Sequence, residues 1–345
     1  DSMKSKKKIN VLVAGATGYI GIELIKLLLK HPKVNIKYIC AQKSIGKSLN
    51  KFDSDIKNKK LPKISNFKKA KLNEIDIVFA ALPNGEAHKI SKKINSKIKL
   101  IDLSGDFRIQ NPNVYKKWYK ISHAAKKLIK KSIYSLPELV EKDLKKFKII
   151  SCPGCYPTSI QIPLIPLLKK KLISVKNIII DSKSGYSGAG KNLHKKFKYK
   201  NIYNSISAYG VGGHKHLAEI DQEFKKITNK KVQIHFTPHL SPMFRGILST
   251  IYIDLKNKVS AKTIYSFLKS YYKKKYFINK KTFNKAIGTG DIMNTNFCNI
   301  SICKDRKKNK AIILCAIDNL IKGGSGQAIQ NMNLIYNYKE KLGFN

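Results

Sequence analysis

Two cysteines, Cys152 and Cys155, enclose a Pro-Gly pair, and this spacing is the clearest chemical feature of the sequence. A single thiolate can attack an acyl carbon and form a covalent intermediate, whereas Cys-x-x-Cys also occurs in dithiol redox proteins. Apolar residues predict a strand over 148–150 and a helix over 158–168. Cys155 is thus expected near a helix N-terminus, where the helix dipole lowers the pKa of a thiol. We predict that Cys155 is a nucleophile and that Cys152 has a packing role, with a dithiol mechanism as the alternative.

Residues 15–21 predict a second chemical feature, a glycine turn that binds a dinucleotide. The turn follows an apolar strand predicted over 9–14 and precedes a helix over 23–30 and a second strand over 34–41. In this order of elements the pyrophosphate of a dinucleotide lies on the helix N-terminus. The spacing is G-x-x-G-x-x-G rather than G-x-G-x-x-G, so a purely structural glycine turn is the alternative.

The residues after the second strand indicate which nicotinamide cofactor fits. An NAD site usually places Asp or Glu there, because a carboxylate accepts a hydrogen bond from the ribose 2′-hydroxyl. Residues 41–47 include Ser44 and Lys47 and no acidic residue. Hydroxyl and ammonium donors suit a 2′-phosphate, so NADP(H) is predicted, although lysine is abundant throughout this chain.

Apolar runs predict an α/β protein whose two parts differ. In the first part, strands alternate with helices, which predicts a Rossmann-type doubly wound parallel sheet. After Cys155, longer strands and a helix over 260–274 predict an α+β domain with a mixed or antiparallel sheet. The further predicted strands are residues 75–81, 98–103, 177–183, 232–238 and 246–254.

The net charge of +48 suggests a nucleic-acid-binding protein as an alternative. Only three of the 69 basic residues are arginine, and lysine occurs in almost every segment without a recognition helix, RNP-like motif or zinc-finger spacing. We therefore predict no specific nucleic-acid partner and only weak, salt-sensitive binding to polyanions. No apolar run approaches the ~20 residues that span a membrane. The six scattered cysteines suit a reducing compartment, so a cytoplasmic protein without a membrane partner is predicted.

Two of the three arginines, Arg108 and Arg245, lie in motif-like contexts. Since lysine is used almost everywhere else, a retained guanidinium indicates planar two-point recognition of a carboxylate or phosphate. A structural ion pair is the alternative at each site.

His214 and His216, with Glu219 three residues on, have the spacing of half a zinc site. No further ligand cluster is close in the sequence, so no metal is predicted.

The ordered set of motifs resembles the N-acetyl-gamma-glutamyl-phosphate reductase family, which is related to the aspartate-semialdehyde dehydrogenases. The resemblance covers essentially the full length. The sequence departs from the family pattern at Lys191, Lys215 and Gly105, where Arg, Arg and Ala are more usual. The matching segments are residues 15–21, 103–108, 152–158, 184–191, 208–216, 238–246 and 326–333.

The resemblance implies that Cys155 forms a thioacyl intermediate and that His214, or else His216, is the general acid–base. It implies substrate contacts from Arg108, Arg245, Ser184 and Glu219. The cofactor contacts that the sequence and the resemblance predict together are Gly15, Thr17, Gly18, Tyr19, Ile20, Ser44, Lys47, Pro83, Ser184, Gly185, Gly188, Gln327 and Asn331.

The resemblance also implies how the chain is organised. Residues 1–151 and 316–345 are expected to form the NADP-binding domain, and residues 152–315 the catalytic and oligomerisation domain of a homo-oligomer, a dimer or a tetramer. Reduction of an aspartyl phosphate is the closest enzymatic alternative within this group.

Overall fold

The chain folds into two compact units that alternate along the sequence. The structure, a computed structural model, describes residues 8–57, 60–193 and 200–344; residues 1–7 and 345, at the ends of the predicted first domain, lie outside these ranges. One unit comprises Asp1–Cys152 and Ser325–Asn345, and the other Pro153–Gly324. The return to the first domain predicted at residue 316 is too early, because the strand Lys310–Ile317 pairs on both sides within the sheet of the second unit.

The first unit contains a six-stranded sheet in which every neighbouring pair is parallel, in the order β2-β1-β3-β4-β6-β5. Its strands are β1 Ile9–Ala14, β2 Val34–Cys40, β3 Ile77–Ala80, β4 Lys99–Asp102, β5 Ser132–Tyr134 and β6 Ile149–Ser151. The order reverses direction beside β1. This is the doubly wound arrangement predicted for the first part of the chain, and ligands of such sheets bind at the carboxyl ends of the strands.

Helices cover both faces of this sheet. They are α1 Tyr19–Lys30, α2 Ala87–Ser91, α3 Pro112–Tyr119, α4 Lys126–Ile129 and, after the second unit, a helix numbered α8, Gly326–Ile335. Along β1, Val11 and Val13 belong to the core that includes residues of α1 and α8, whereas Leu12 and Ala14 belong to the core on the opposite face. The central strand β3 is accordingly apolar and buried throughout, whereas β2, at the edge of the sheet, alternates buried and exposed residues.

The second unit contains a mixed seven-stranded sheet in the order β11-β12-β13-β10-β7-β9-β8. Two pairs, β7 with β9 and β11 with β12, are parallel and the others are antiparallel. The strands are β7 Ile178–Gly185, β8 Ser207–Ala208, β9 Ile234–Ser241, β10 Ile247–Asp254, β11 Ile278–Lys280, β12 Cys298–Lys304 and β13 Lys310–Ile317. The predicted fold class, a parallel doubly wound sheet with a second mixed-sheet domain, is confirmed.

The described residues of the second unit include the helices α5 Cys155–Lys169, α6 His216–Thr228 and α7 Ala261–Tyr271. Helix α5 packs on β10 and β13 and contacts α6 and α7. A buried hydroxyl, Ser249 Oγ, lies 2.7 Å from both Ser159 Oγ of α5 and Ser182 Oγ of β7. These bonds hold α5 in a fixed register on the sheet.

Helix α5 contains two internal prolines, Pro163 and Pro166, and still runs for fifteen residues. Proline has no N–H, so Pro166 leaves the carbonyl of Ile162 without its usual intrahelical donor. The hydroxyl of Tyr272 donates to this carbonyl at 2.5 Å. A side chain following α7 thus replaces the missing helical bond.

Among the described residues, no helix has the length and apolar character needed to cross a bilayer.

Asp102, the last residue of β4, is fully buried and its pKa is raised. Its Oδ1 accepts hydrogen bonds from the N–H and the hydroxyl of Ser104, at 2.9 and 2.8 Å. Burial, followed by the nearby carboxylate of Asp106, raises the pKa of Asp102 to about 7. Since the unfolded carboxyl titrates near pH 4, the folded state binds the additional proton between these values. Stability from this group is therefore lost as the pH rises through the interval.

We expect Asp102→Asn to flatten the pH dependence of stability, because the amide keeps the Oδ1 acceptor and removes the titration. Between pH 5 and pH 8, the native protein should lose at least about 1 kcal/mol more unfolding free energy than the variant, which corresponds to less than one pKa unit. Urea unfolding of both proteins at the two pH values measures this difference. Parallel losses would show that Asp102 does not titrate in this range.

Candidate active site

Cys155, the predicted nucleophile, is the first residue of α5, so the helix begins earlier than the predicted start at Thr158. Gly154 is the N-cap, in an extended conformation, and Pro157 in the first turn loses only an N–H that has no helical acceptor. The thiol is half-buried. A thiolate in this position is stabilised by the helix dipole, and first-turn N–H groups can bind an oxyanion formed at the attacked carbon.

A π-helical turn, Ile321–Ser325, lies against Cys155. A Cβ added at Gly323 would lie 2.8 Å from the Cβ of Cys155, so a side chain there would displace the nucleophile. The carbonyl oxygen of Asp318 accepts a hydrogen bond from the N–H of Gly323 at 3.0 Å, and its buried carboxylate pairs with Arg245 at 3.2 Å. Arg245 therefore supports, through Asp318, the turn that packs on Cys155.

The rings of His214 and His216 lie side by side at the start of α6. Their centroids are 4.7 Å apart, and the N–H of His216 donates to Nδ1 of His214 at 3.2 Å. A ring nitrogen that accepts a hydrogen bond carries no proton, so this bond assigns the proton of a neutral His214 to Nε2. Tyr156, the residue after Cys155, packs against both rings at centroid distances of 5.6 and 5.9 Å. The structure thus brings both predicted histidines to the start of the nucleophile helix.

Tyr156 and Tyr209 form part of this site and were not predicted from the sequence. The hydroxyl of Tyr209 donates to that of Tyr156 at 3.0 Å, and the hydroxyl of Tyr156 donates to the carbonyl of His239 at 3.3 Å. Burial raises the pKa of the Tyr156 phenol well above its usual value, so it stays neutral. Tyr209 also packs edge-on against His214 at 5.4 Å. The short sequence separation of Tyr209 and His214 could have indicated this ring contact, which the fold shows.

Glu219, for which a substrate contact is predicted, is fully buried in the first turn of α6. Its Oε2 accepts a hydrogen bond from the N–H of Gly154 at 3.1 Å, and its Oε1 lies 3.9 Å from Nε2 of His216. Both carboxylate oxygens thus face protein groups in this structure, and a contact of Glu219 with a substrate stays a prediction.

Arg108 belongs to the first unit and is buried. Its Nε donates to the carbonyl of Cys152 at 2.8 Å, and its Nη2 donates to the carbonyl of Leu103 at 2.9 Å. The guanidinium thus binds two acceptors at once, but these are backbone carbonyls of this chain rather than the predicted carboxylate or phosphate. Its contact with a substrate stays a prediction.

The second thiol of the motif, Cys152, is buried in the first unit. It lies 3.5 Å from the Nδ2 of Asn331, and burial raises its pKa to about 12. A buried thiol with a raised pKa is inert. Cys152 thus has the environment expected for a packing role, and the dithiol alternative loses its second reactive thiol.

The loops that follow β1, β2 and β3 meet at the carboxyl edge of the parallel sheet. The N–H groups of Gly15 and Ala16 donate to the carbonyl of Cys40 at 2.9 and 3.1 Å. Gly15 has φ of +85°, and a Cβ there would lie 2.0 Å from the carbonyl oxygen of Ala81. These loops and the first residues of α1 contain the predicted cofactor residues Gly15, Thr17, Gly18, Tyr19, Ile20, Ser44, Lys47 and Pro83.

The start of α1 fits the phosphates of a dinucleotide. Gly18 is its N-cap and Tyr19 its first residue, and no acidic residue lies in the first turn. The N–H groups and positive dipole of this turn attract an anion, and no carboxylate within the turn opposes it. The two loop residues predicted to bind a 2′-phosphate also lie at this edge, with Ser44 half-buried and Lys47 exposed.

Two predicted cofactor contacts in α8, Gln327 and Asn331, are fully buried. The Oδ1 of Asn331 accepts from the hydroxyl of Ser135 at 2.6 Å, and its Nδ2 donates to the carbonyl of Ser135 at 3.2 Å. The Asn331 amide thus binds the loop after β5, and a cofactor contact from either residue stays a prediction.

The remaining predicted contacts, Ser184, Gly185 and Gly188, lie at the end of β7 in the second unit. Ser184 and Gly185 are buried and Gly188 is exposed. The N–H of Gly185 donates to the carbonyl of Gly246 at 2.8 Å, which joins this segment to the loop of Arg245.

Within residues 8–57, 60–193 and 200–344, no group of three or more His, Cys, Asp or Glu side chains is arranged to hold a metal ion.

Comparison with known proteins identifies the class to which this geometry belongs. Residues 10–147 match the model of the semialdehyde dehydrogenase NAD binding domain, and residues 155–319 match that of the semialdehyde dehydrogenase dimerisation domain. Among solved structures, aspartate semialdehyde dehydrogenase II of Vibrio cholerae has a TM-score of 0.73 at 17% identity, covering 96% of this chain and 99% of that one. At this identity the similarity shows the fold.

Relatives with higher identity narrow the class. The N-acetyl-gamma-glutamyl-phosphate reductase of Ehrlichia canis is 42% identical over 337 residues, 97% of each chain. That of Thermoanaerobacter pseudethanolicus is 42% identical over 96% of each chain, and the probable chloroplastic enzyme of Arabidopsis thaliana is 40% identical over 99% of this chain and 85% of its own. The chain therefore belongs to the semialdehyde dehydrogenase family and, within it, to the N-acetyl-gamma-glutamyl-phosphate reductases.

We expect Arg108→Lys and Arg245→Lys to impair catalysis while Arg306→Lys, at an exposed position, does not. Lysine keeps the charge but cannot place two donors in one plane, so it cannot replace the bonds to two carbonyls or to Asp318. For at least one of the two variants, kcat/KM should fall by roughly 10²-fold, or about 2.7 kcal/mol. Steady-state kinetics measures this change. A near-normal kcat/KM in both variants would show that neither arginine supports the site.

Proposed function

We propose that this protein catalyses the NADPH-dependent reduction of N-acetyl-L-glutamyl 5-phosphate to N-acetyl-L-glutamate 5-semialdehyde and phosphate, a step of arginine biosynthesis. The observation that carries the proposal is the position of Cys155 at the N-terminus of α5, beside His214 and His216. The reductase relatives, which match along the whole chain, support the choice of substrate over an aspartyl phosphate.

The residues of the second unit suit a covalent mechanism. The Cys155 thiol gives its proton to a histidine, the sulfur attacks the acyl carbon, and phosphate leaves as the thioester forms. First-turn N–H groups of α5 stabilise the oxyanion of the tetrahedral species. When bound, NADPH would supply the hydride that reduces the thioester. Addition of the hydride leaves the thiohemiacetal as an alkoxide, whose collapse breaks the C–S bond and releases the aldehyde with the thiolate restored.

His214 is our first choice as general acid–base. With its proton on Nε2, a neutral His214 can donate a hydrogen bond to an oxygen of the reacting group. To act as a base, His214 must take up a proton at Nδ1, and this requires that the hydrogen bond from the N–H of His216 to Nδ1 breaks. His216 is therefore the alternative acceptor for the thiol proton.

The first unit suits NADP(H). The glycine turn and the start of α1 would hold the pyrophosphate through Gly15, Thr17, Gly18, Tyr19 and Ile20. Ser44 and Lys47 would hold the 2′-phosphate, and the absence of an acidic residue in segment 41–47 supports the choice of NADP(H) over NAD(H).

We also propose a cytoplasmic homo-oligomer, a dimer or tetramer. None of the six cysteines, all of which lie in the described part of the chain, forms a disulfide, and this supports a reducing compartment. The match of the second unit to a dimerisation domain supports assembly. Ile179 and Tyr252 lie opposite each other on β7 and β10 with 46% and 40% exposure, so this face of the sheet offers apolar area to a second copy.

The proposed function predicts phosphate-dependent reduction of NADP by N-acetylglutamate semialdehyde, followed spectrophotometrically in the reverse direction. Aspartate semialdehyde should give a far lower rate.

In the forward direction, NADPH should be preferred over NADH by at least about tenfold in kcat/KM, or about 1.4 kcal/mol. Ser44→Ala with Lys47→Ala should narrow this preference through a higher KM for NADPH. Equal rates with both aldehydes, or with both cofactors, would contradict the corresponding part of the proposal.

The activities of the Cys155→Ala and Cys152→Ala variants should differ. Cys155→Ala should abolish reduction while NADPH still binds, because the glycine turn is unchanged. Cys152→Ala should keep substantial activity, since its buried thiol does not react. Alkylation should label Cys155 faster than the other five cysteines, and substrate should protect it. Loss of activity in a folded Cys152→Ala would revive the dithiol mechanism.

A further inference from the structure

Asp106, a fully buried residue after β4, binds the loop that follows β3. This β3 loop, residues 81–86, joins β3 to α2 at the carboxyl edge of the parallel sheet. The Oδ1 of Asp106 accepts a hydrogen bond from the N–H of Gly85 at 2.8 Å, and its Oδ2 accepts one from the N–H of His88 at 3.0 Å. One carboxylate therefore holds the backbone on both sides of the junction between the loop and α2.

The surroundings of this carboxylate suit its ionised form. An ionised carboxylate only accepts hydrogen bonds, and a third donor, the hydroxyl of Tyr115, lies 2.7 Å from its Oδ1. Burial, followed by the hydrogen bond to Asp106, raises the pKa of Tyr115 above its usual value, so the phenol keeps the proton that it donates. Hydrogen bonds from three buried donors offset part of the cost of burying the charge.

The β3 loop is held from outside its own sequence. Glu86, the N-cap of α2, makes no capping bond with its side chain. The acceptor for the N–H of His88, the second residue of this helix, comes instead from Asp106, 18 residues further along the chain. Next to Asp106, the N–H of Gly105 donates to the Oδ1 of Asn84 at 3.0 Å. The position of the β3 loop thus depends on two consecutive residues that follow β4.

The place of β3 in the sheet indicates which part of the cofactor this loop meets. Strands β2 and β3 flank β1 on opposite sides. Ser44 and Lys47, to which the 2′-phosphate is assigned, follow β2, and the start of α1, to which the pyrophosphate is assigned, follows β1. A dinucleotide that extends across the sheet from β2 over β1 places its nicotinamide half towards β3. Pro83, an exposed residue of the β3 loop, lies on this side.

We propose that Asp106 is a positioning residue for the nicotinamide half of the cofactor and acts through the β3 loop. The proposal rests on the proposed function for the binding of NADPH at this edge. With Gly85 and His88 held by Asp106, the loop occupies its binding position before the cofactor arrives. When only a fraction of the molecules has the loop in this position, the apparent Kd rises by the inverse of that fraction. Because NADPH and NADH share the nicotinamide half, the loss applies to both cofactors equally.

Asp106→Asn tests this role, because the amide keeps the size of the side chain and one acceptor but loses the charge and turns its N–H groups towards a donor. We expect Kd for NADPH and Kd for NADH, measured by fluorescence titration without substrate, to rise by the same factor of about ten or more. The preference between the cofactors should stay unchanged, in contrast to Ser44→Ala with Lys47→Ala. At saturating NADPH, kcat should stay within about threefold of the native value. Hydrogen exchange at Gly85 and His88 should become faster in the cofactor-free protein.

Asp143→Asn is the matched control. Asp143 lies in the same unit and also accepts a backbone N–H, that of Lys145 at 3.0 Å. Its substitution should change none of these quantities. An unchanged Kd for both cofactors in a folded Asp106→Asn variant would overturn the proposal and leave Asp106 with a role in folding alone. A raised Kd for NADPH with an unchanged Kd for NADH would also overturn it, because the effect would then lie at the 2′-phosphate.

Tyr115→Phe decides the question if thermal unfolding shows that Asp106→Asn is not folded. This variant keeps the carboxylate and removes one of its three donors, so Kd should rise by an equal but smaller factor for both cofactors, about threefold. Unchanged values would overturn the proposal. The titrations need no substrate, so a native protein that binds NADPH but reduces another acyl phosphate would contradict the proposed function and leave this test intact.

Discussion

The second unit depends on one constraint: the N-terminus of α5 must be buried with Cys155 as its first residue. When a helix N-terminus is buried, its first N–H groups need hydrogen-bond acceptors from the protein, and the positive end of its dipole favours a nearby negative charge. Glu219 binds one of these N–H groups at Gly154, and the thiolate of Cys155 is the other charge that the dipole favours. The same physical condition, an anion at a helix start, thus governs both the local folding of this turn and its chemistry.

Other features of the unit maintain that helix end. Three serines fix α5 on the sheet, and Tyr272 supplies the donor that Pro166 lacks, so the helix stays intact behind the nucleophile. On the other side, Gly323 lets the turn at Ile321–Ser325 lie against the thiol. Arg245, for which a contact with a carboxylate or phosphate is predicted, acts on this turn through its ion pair with Asp318. Arg245, for which a substrate contact is predicted, thus also bears on the position of Cys155.

Much of the fold could be predicted from apolar periodicity, and its errors have physical causes. Strand β1 is predicted residue for residue, because a buried parallel strand is continuously apolar. The helix starts are predicted too late at α1 and α5, since glycine and proline in the first turn hide the helical pattern. Strands β12 and β13 were not predicted, because a short apolar run fits a strand and a buried helix equally well. The positions of Arg108 and Glu219 could not be predicted, because their partners, Cys152 and Gly154, are distant in sequence.

The arginines show how composition and structure constrain each other in this lysine-rich chain. An ammonium on a flexible stem serves at the surface, where one strongly hydrated charge is enough, and 66 of the 69 basic residues are lysine. Two of the three arginines, Arg108 and Arg245, are buried or half-buried and face acceptors fixed by the fold, two carbonyls in one case and a buried carboxylate in the other. At such positions a point charge leaves an acceptor unsatisfied at a cost of about 1–3 kcal/mol. Retention of arginine in this sequence therefore marks fixed acceptor geometry, and the fold determines whether the acceptor belongs to the protein or to a ligand.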